Sequence, residues 1–250
     1  MLYLLYPLEG FLIIALALGL GLFLHHRLGM AWRLYVVGAL TFIASQVVHI
    51  PLLIGITSLF TQQVLPSPPA QWLLPFNAVI LGLLAGLCEE LARWAAYRFV
   101  IRRARTWQAA LMFGAGHGGI EALLVGLGVI GVFIAFNALS QAQIDALPAA
   151  AQAQAQALRS PADLTALVGL VERVFALCIH LGLAVLVLQT FTRGSPLYLV
   201  AAILWHSLVD AVSVYAAPTW GVGVTETLLG VMALISLAIV YAFRPGSVQK

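Results

Sequence analysis

Long apolar runs separated by short polar connections make up most of the chain. Seven of these runs are long enough to cross a bilayer, at residues 8–24, 34–60, 73–101, 107–138, 165–190, 196–216 and 222–243. A spanning helix needs about 20 mostly apolar residues, and it satisfies its own backbone hydrogen bonds where lipid offers no partners. The pattern therefore predicts an all-α polytopic membrane helix bundle, with residues 1–250 forming a single integral membrane domain.

Two stretches leave the secondary structure open. The fourth run carries a cluster of glycines, so it predicts either one long helix or a helix broken near Gly114–Gly119. Between the fourth and fifth runs, the Ala- and Gln-rich stretch Gln141–Ala157 predicts a polar loop or a short helix lying on the membrane surface.

The composition changes the picture by excluding the classes that depend on surface charge. Only 8% of the residues are charged and 62% are hydrophobic, whereas an average soluble domain carries about 25% charged residues. This excludes a soluble globule, a disordered chain and a nucleic-acid binder that uses a basic patch. The two cysteines, Cys88 and Cys178, lie inside apolar runs and are expected to act as small hydrophobic residues.

Basic residues mark every second connection between the predicted spans. They are Arg27 and Arg33, then Arg102, Arg103 and Arg105, then Arg193, and finally Arg244 and Lys250 in the tail. Because short cytoplasmic loops are enriched in Lys and Arg, this alternation predicts an N-terminus outside and a C-terminus in the cytoplasm. We expect a multi-pass protein of the cytoplasmic (inner) cell membrane, in contact with lipid.

Ionisable residues also lie inside the apolar runs, where a charge at mid-membrane costs at least about 2.5–3.5 kcal/mol. The set comprises Glu89, Glu90, Arg93, His117, Glu121, Glu172, Arg173, His180, His206 and Asp210. Residues of this kind are expected to face the bundle interior or a water-filled cavity.

Four of these residues fall at the same depth. Counted from the predicted cytoplasmic end of each span, Glu90, His117, His180 and His206 lie 10 or 11 residues in, which is about 15 Å at the helical rise. Chance placement on four helices of alternating direction would scatter them. The common depth therefore predicts one shared site.

The spacing along each helix predicts contacts within that site. Three pairs lie four residues apart on one helix face: Glu89 with Arg93, His117 with Glu121, and His206 with Asp210. We expect Arg93 to compensate Glu89 or Glu90, and each carboxylate to orient the histidine of its own helix. Glu172 and Arg173 are expected to brace the fifth span as a structural pair. His49 is expected to be a packing residue, and Glu9 and Glu226 to be solvated near the outer edge.

Carboxylates and imidazoles at one depth suit hydrolysis. A glutamate deprotonates a water with the help of a nearby histidine, and a second histidine donates hydrogen bonds to the oxyanion. Adjacent Glu89 and Glu90 point about 100° apart, so one of them can face the water. The same residues leave a metal alternative open, in which His117, His180 and His206 bind Zn²⁺ with a water as fourth ligand. The sequence has no HExxH motif of the zincin type.

Four short segments in this order resemble the YhfC family of intramembrane peptidases. They are Cys88-Glu89-Glu90-Leu91-Ala92-Arg93, Phe113-Gly114-Ala115-Gly116-His117-Gly118-Gly119-Ile120-Glu121, Glu172-Arg173 with His180, and His206-Ser207-Leu208-Val209-Asp210. The family is itself similar to the type II CAAX prenyl endopeptidases and the PrsW proteases. The resemblance covers residues 73–216, which form the motif-bearing core.

The resemblance implies an intramembrane endopeptidase that cuts a membrane-protein or lipidated-peptide substrate in a cavity open to the cytoplasm. It implies that Glu89 or Glu90 activates water with His117, and that His206 and Asp210 stabilise the oxyanion or orient the substrate. The residues expected to serve catalysis are Glu89, Glu90, His117, Glu121, His180, His206 and Asp210, with Arg93, Glu172 and Arg173 as charge partners.

Two other classes remain as alternatives. A proton or metal transporter also uses buried Glu, His and Asp, but the sequence has no inverted repeat and its polar residues gather at one depth. A non-catalytic membrane scaffold or immunity protein tolerates buried ion pairs, but it has no use for three histidines at one level.

Overall fold

The computed structural model describes residues 4–159 and 167–246, so Lys250 and the start of the predicted fifth span lie outside the described residues. The described ranges form helices joined by short connections, without a strand, and seven of the helices are long and apolar enough to span a bilayer. These are α1 Leu5–Leu28, α2 Trp32–Thr61, α3 Ala70–Ala95, α4 Trp107–Ala138, α7 Val168–Thr192, α8 Leu197–Trp220 and α9 Val222–Ala242. The predicted bundle of seven spans is confirmed.

The two open stretches are resolved by the structure. Helix α4 is continuous from Trp107 to Ala138 despite its glycine cluster. The Ala- and Gln-rich stretch forms two short helices, α5 Gln141–Asp145 and α6 Ala149–Arg159. At the end of α6, Arg159 donates hydrogen bonds to the carbonyl oxygens of Phe136 and Leu139 at the end of α4, so this pair of helices folds back against the bundle.

The connections divide between two ends of the bundle. We call one of them the basic end, formed by residues 25–33, 98–106, 192–198 and 240–246. Here the Trp107 indole donates to the Val240 carbonyl at 2.8 Å, and the Arg193 guanidinium lies 4.8 Å from the centre of the Phe243 ring. The other end, which we call the opposite end, holds the α2–α3, α4–α7 and α8–α9 connections.

Two pairs of helices approach closely through glycines. A Cβ atom on Gly116 of α4 would collide with the carbonyl oxygen of Tyr35 on α2, and one on Gly38 of α2 would collide with the carbonyl oxygen of Phe113 on α4. Glycines on α3 approach Ser207 of α8 in the same way. Small residues allow such close backbone approach in membranes, and these two crossings bring α2, α3, α4 and α8 around one centre.

The basic half of the bundle is filled by packed side chains. The residues that form this layer and are at most 2% exposed include Tyr97, Ala110, Met112, Phe113, Leu183, Ala184, Val185, Val187 and Leu188. The layer reaches from the basic end to the depth of Arg93, which is itself fully buried. It forms the floor of the site described next.

Candidate active site

Side chains from four spans converge directly above the packed layer. Glu89, Glu90 and Arg93 come from α3, His117 from α4, His180 from α7 and His206 from α8, and all six are buried. The rings of His117 and His180 lie 5.4 Å apart, and those of His180 and His206 lie 5.8 Å apart. The structure thus brings together the residues that the sequence places at one depth.

Arg93 lies at the bottom of this cluster. Its Nη1 forms an ion pair with Glu90 Oε1, and its Nη2 lies 2.6 Å from His180 Nδ1 and 3.9 Å from Glu89 Oε2. Because a guanidinium only donates hydrogen bonds, His180 Nδ1 accepts, and the proton of a neutral His180 ring lies on Nε2. The expected compensation of the glutamate pair by Arg93 is present, with Glu90 as the nearer partner.

Glu89 is hydrogen-bonded on both carboxylate oxygens. Its Oε2 lies 3.0 Å from His117 Nε2, and its Oε1 accepts from Gln46 Nε2 at 3.2 Å. Gln46 Oε1 in turn lies 3.2 Å from His49 Nδ1. Gln46 is not among the residues predicted from the sequence, and His49 is predicted there as a packing residue. A Gln and a His three residues apart in an apolar span nevertheless indicate a polar contact.

The predicted contact between Glu121 and His117 is wrong. Glu121 Oε2 lies 2.6 Å from His180 Nε2, and Glu121 Oε1 accepts from Arg173 Nη1 at 2.6 Å. The spacing of four residues places Glu121 on the same side of α4 as His117, but Glu121 meets side chains of α7, whereas the His117 ring meets Glu89 of α3 and Phe42 of α2. Arg173 also pairs with Glu172 as predicted. The ion pair on α7 therefore extends to Glu121 on α4.

His206 faces carboxylates on both ring nitrogens. Its Nδ1 lies 2.6 Å from Glu90 Oε1, and its Nε2 lies 3.5 Å from Asp210 Oδ2 and 3.8 Å from Glu89 Oε2. The expected approach of Asp210 to His206 is present at this longer distance. A ring between carboxylates satisfies both sides only by donating from both nitrogens, which favours a doubly protonated His206.

A cavity of about 320 Å³ adjoins these groups, within the size range of small-molecule sites. Its walls run from Glu89 and His206 toward the opposite end, past Leu81 on α3 and Ser213 on α8. Side-chain exposure rises in the same direction, from 8% at Glu89 to 35% at Asp210 and 40% at Glu172. The cavity therefore extends toward the opposite end, and the packed layer lies between it and the basic end. The predicted opening toward the cytoplasm stays a prediction.

Other acidic residues are less exposed than the sequence suggests. Glu9 is buried, and its Oε1 accepts a hydrogen bond from the backbone N–H of Leu170 at 3.2 Å. Glu226 is half-buried, and its Oε2 has no hydrogen-bond partner among the described residues. The prediction of a solvated Glu9 is wrong, because the start of α7 packs over it. Glu226 stays partly exposed, as a solvated residue would be.

The site carries more negative than positive formal charge. Five carboxylates line or floor the cavity, from Glu89, Glu90, Glu121, Glu172 and Asp210, against the two guanidinium groups of Arg93 and Arg173. Such an excess of negative charge in a largely apolar surrounding is unfavourable unless it is offset by protonated histidines, by a bound metal ion or by protonation of a carboxylate.

The structure offers one group of metal ligands in its described part. Ligand atoms of Glu89, His117 and His180 all lie within 4.8 Å of one another. Two imidazoles and one carboxylate form the ligand set of several zinc hydrolases, and His117 Nδ1 is buried without a hydrogen-bond partner among the described residues. The ligand set predicted from the sequence was His117, His180 and His206. In the structure Glu89 takes the place of His206 in this group, since His206 Nδ1 is bonded to Glu90.

Residues 12–220 match the model of a protein family that is described as YhfC intramembrane metalloprotease. This range includes every residue of the cluster. The chain belongs to the YhfC family. This YhfC-family chain is 32% identical over 216 residues to the protein named Uncharacterized membrane protein YhfC of Bacillus subtilis (strain 168), and the match covers 83% of this chain and 82% of that protein. No solved structure matches the chain.

The family assignment confirms the resemblance drawn from the four sequence segments. The family description supports a membrane protease, and the Glu89–His117–His180 group agrees with a metal in such an enzyme. Both nitrogens of His180 are hydrogen-bonded, so a metal ion bound in this YhfC-family protein would replace the contact with Arg93 or the contact with Glu121.

Proposed function

We propose that this YhfC-family protein hydrolyses peptide bonds inside the membrane with a water activated at Glu89. One observation carries the choice of residue: of the two adjacent glutamates, Glu89 lines the cavity, while Glu90 is fully buried between Arg93 and His206. A general base needs access to its water. Glu89 has this access, and Glu90 does not.

The neighbours of Glu89 support its proposed role as the group that accepts the proton of the attacking water. Glu89 Oε2 takes a proton from the attacking water, and His117 Nε2 at 3.0 Å shares or relays it. Gln46 holds the other carboxylate oxygen, which fixes the plane of the group. If Zn²⁺ binds, Glu89, His117 and His180 would hold it and the ion would supply Lewis acidity to a water and a carbonyl. Glu89 would then act as a ligand, so the base role proposed here belongs to the metal-free form of the site.

His206 is placed to stabilise the oxyanion that forms on the scissile carbonyl. Glu90 holds its Nδ1, and Arg93 holds Glu90, so the ring orientation is set by buried groups. Its Nε2 faces the cavity wall beside Asp210 and Glu89. A pre-oriented donor in a water-poor site stabilises developing negative charge more than bulk water does.

The setting of the cavity indicates the class of substrate. It lies within the spans, among apolar walls such as Leu53, Leu81 and Val214. We therefore propose a membrane-protein or lipidated-peptide substrate, and a place for the enzyme in the cytoplasmic membrane.

The decisive test is Glu89→Gln in protein reconstituted into liposomes with a panel of single-pass membrane peptides and prenylated peptides. This change keeps the shape of the side chain and removes the base, so cleavage measured by mass spectrometry should fall about 10²–10⁴-fold. Glu226→Gln, the same change outside the cluster, should retain cleavage.

Full cleavage activity in Glu89→Gln would contradict the proposal. Absence of any cut peptide, together with proton or metal flux into the liposomes that depends on Glu89 and His117, would favour the transporter alternative. The excess of buried negative charge is the observation that makes this alternative worth measuring.

A further inference from the structure

A second cavity lies between α2 and α3 in the half of the bundle nearest the opposite end. Its volume is about 410 Å³. It is lined by one face of each helix together with the connection between them: Leu53, Ile56, Thr57, Phe60, Thr61, Ser67, Pro68, Leu73, Phe76, Asn77, Ile80 and Leu81. We call it the α2–α3 groove. It contains no charged side chain, in contrast to the candidate active site.

The α2–α3 groove is continuous with the candidate active site. Leu53 of α2 and Leu81 of α3 line both cavities. Eight residues separate Leu81 from Glu89, which is about 12 Å along the helix. A chain lying in the groove therefore reaches Glu89, the proposed base, by extending about two helical turns deeper.

Three polar side chains in the groove, Asn77, Thr57 and Ser67, form no hydrogen bond among the described residues, and the first two lie on the helices themselves. The Asn77 amide and the Thr57 hydroxyl are on exposed residues. In the hydrocarbon region an unwound peptide needs partners for its free N–H and C=O groups. An amide that both donates and accepts, placed among apolar walls, meets this need.

We propose that the α2–α3 groove holds an apolar segment of the substrate in unwound form and leads it to Glu89. This inference rests on the proposed peptidase function, because hydrolysis requires a scissile carbonyl that is free of helical hydrogen bonds. Asn77 and Thr57 hydrogen-bond the substrate backbone, and the apolar walls bind its side chains. The groove thus selects an uncharged stretch beside the cut site.

A lipid acyl chain is the main competing occupant, since it also fits an apolar slot. It has no hydrogen-bonding group for Asn77 or Thr57, and it has no reason to be led to the active site. A peptide uses both features, and for that reason we commit to a peptide.

Photo-cross-linking tests the groove without requiring cleavage. A benzophenone side chain is placed at Ile56 or Ile80 in the groove, and at Ile54 or Leu83 on exposed faces of the same helices as matched controls. The background is Glu89→Gln, so that bound peptide is not consumed. The probe is a synthetic membrane peptide of about 20 Leu and Ala residues with a central Gly-Gly, which weakens the helix.

We expect peptide adducts at Ile56 and Ile80 to exceed those at Ile54 and Leu83 several-fold, and to fall when the Gly-Gly pair is replaced by Leu-Leu. Adducts at the groove positions support the assignment even where the wild-type protein leaves the peptide uncut. That outcome would contradict the proposed hydrolysis while supporting the α2–α3 groove as a peptide-binding site. Equal adducts at all four positions overturn the groove, whether or not the peptide is cut.

Adducts with phospholipid alone at every peptide concentration, or with a second copy of the protein, also overturn the proposal.

A kinetic measurement adds a second criterion for any peptide that is cut. Asn77→Leu should raise KM several-fold with little change in kcat, whereas Asn137→Leu, at the far end of α4, should change neither. An unchanged KM in Asn77→Leu argues against backbone binding by Asn77.

Discussion

Arg93 links three groups of the candidate active site at a depth where no solvent reaches it. It pairs with Glu90, donates to His180 and lies 3.9 Å from Glu89. Breaking a buried ion pair by removing one partner costs about 3–5 kcal/mol, because the remaining charge is left uncompensated. The arginine therefore keeps Glu90 ionised as a structural group, and Glu89 is left to face the cavity.

The arrangement of Glu89, His117 and His180 predicts that the protein binds a metal ion. Purified protein loaded with Zn²⁺ should hold about one ion per chain, measured by inductively coupled plasma mass spectrometry. His117→Ala and His180→Ala should each lose most of it, because each removes one of three ligands. His49→Ala is the matched control, since His49 lines the same cavity outside the ligand group and should keep its zinc.

A chelator provides the complementary test. A bound ion stabilises the folded state by mass action, so its removal should lower the unfolding temperature of the wild-type protein and leave His117→Ala unchanged. Metal-free protein that cleaves peptides at the full rate would speak for a glutamate mechanism without metal.

The residues of the cluster could be predicted from the sequence, but several of their partners could not. Depth along a helix follows directly from residue number, and it brought His117, His180 and His206 to one level. Which carboxylate meets which ring depends on how neighbouring helices are rotated. Glu121 therefore binds His180 on α7 and not His117 on its own helix, and Gln46 entered the site from a span that carried no charge.

At the scale of the helices, the crossing of α2 and α4 positions His117. Gly38 and Gly116 place the two backbones in direct contact, and His117 follows Gly116 in the chain. The atom that blocks a larger residue at Gly116 is a backbone oxygen of Tyr35, which moves only if the helix moves.

Gly116→Ala should therefore destabilise the protein by about 1–3 kcal/mol through overpacking, and it should lower zinc content by displacing His117. Gly128→Ala is the matched control on the same helix, because a Cβ atom there meets nothing within 4 Å. Its stability should be unchanged or higher by at most about 1 kcal/mol, since Ala favours a helix. Thermal unfolding in detergent measures both, and equal loss in the two variants would contradict the role of the crossing.

The spans themselves could be predicted because bilayer crossing imposes a minimum apolar length. Their ends were less certain. The predicted span 196–216 continues to Trp220, with Pro218 inside the helix, and the predicted span 73–101 ends as an α-helix at Ala95 and continues as a π-helical turn, Ala96–Val100. Hydropathy indicates where lipid surrounds the chain, whereas these endings depend on local backbone hydrogen bonding and packing.

At the scale of the whole molecule, the basic end is predicted to face the cytoplasm. Reporter fusions after Arg105 and after Arg193 should report a cytoplasmic location, because short cytoplasmic loops retain Arg and Lys. A fusion at Gln152, on α6, should report the other side. A cytoplasmic report at Gln152 would overturn this orientation, although the seven-span bundle itself would stand.

The packed layer between the active site and the basic end has a consequence for the cell. A cavity that admits water halfway into a bilayer risks becoming a leak for protons and salts, and such a leak would dissipate the ion gradients across that membrane. Here Arg93 lies below the cavity, and Tyr97, Phe113 and Leu183 beneath it are fully buried. A cavity that is open at one face and closed by this layer would admit water without opening a path across the bilayer.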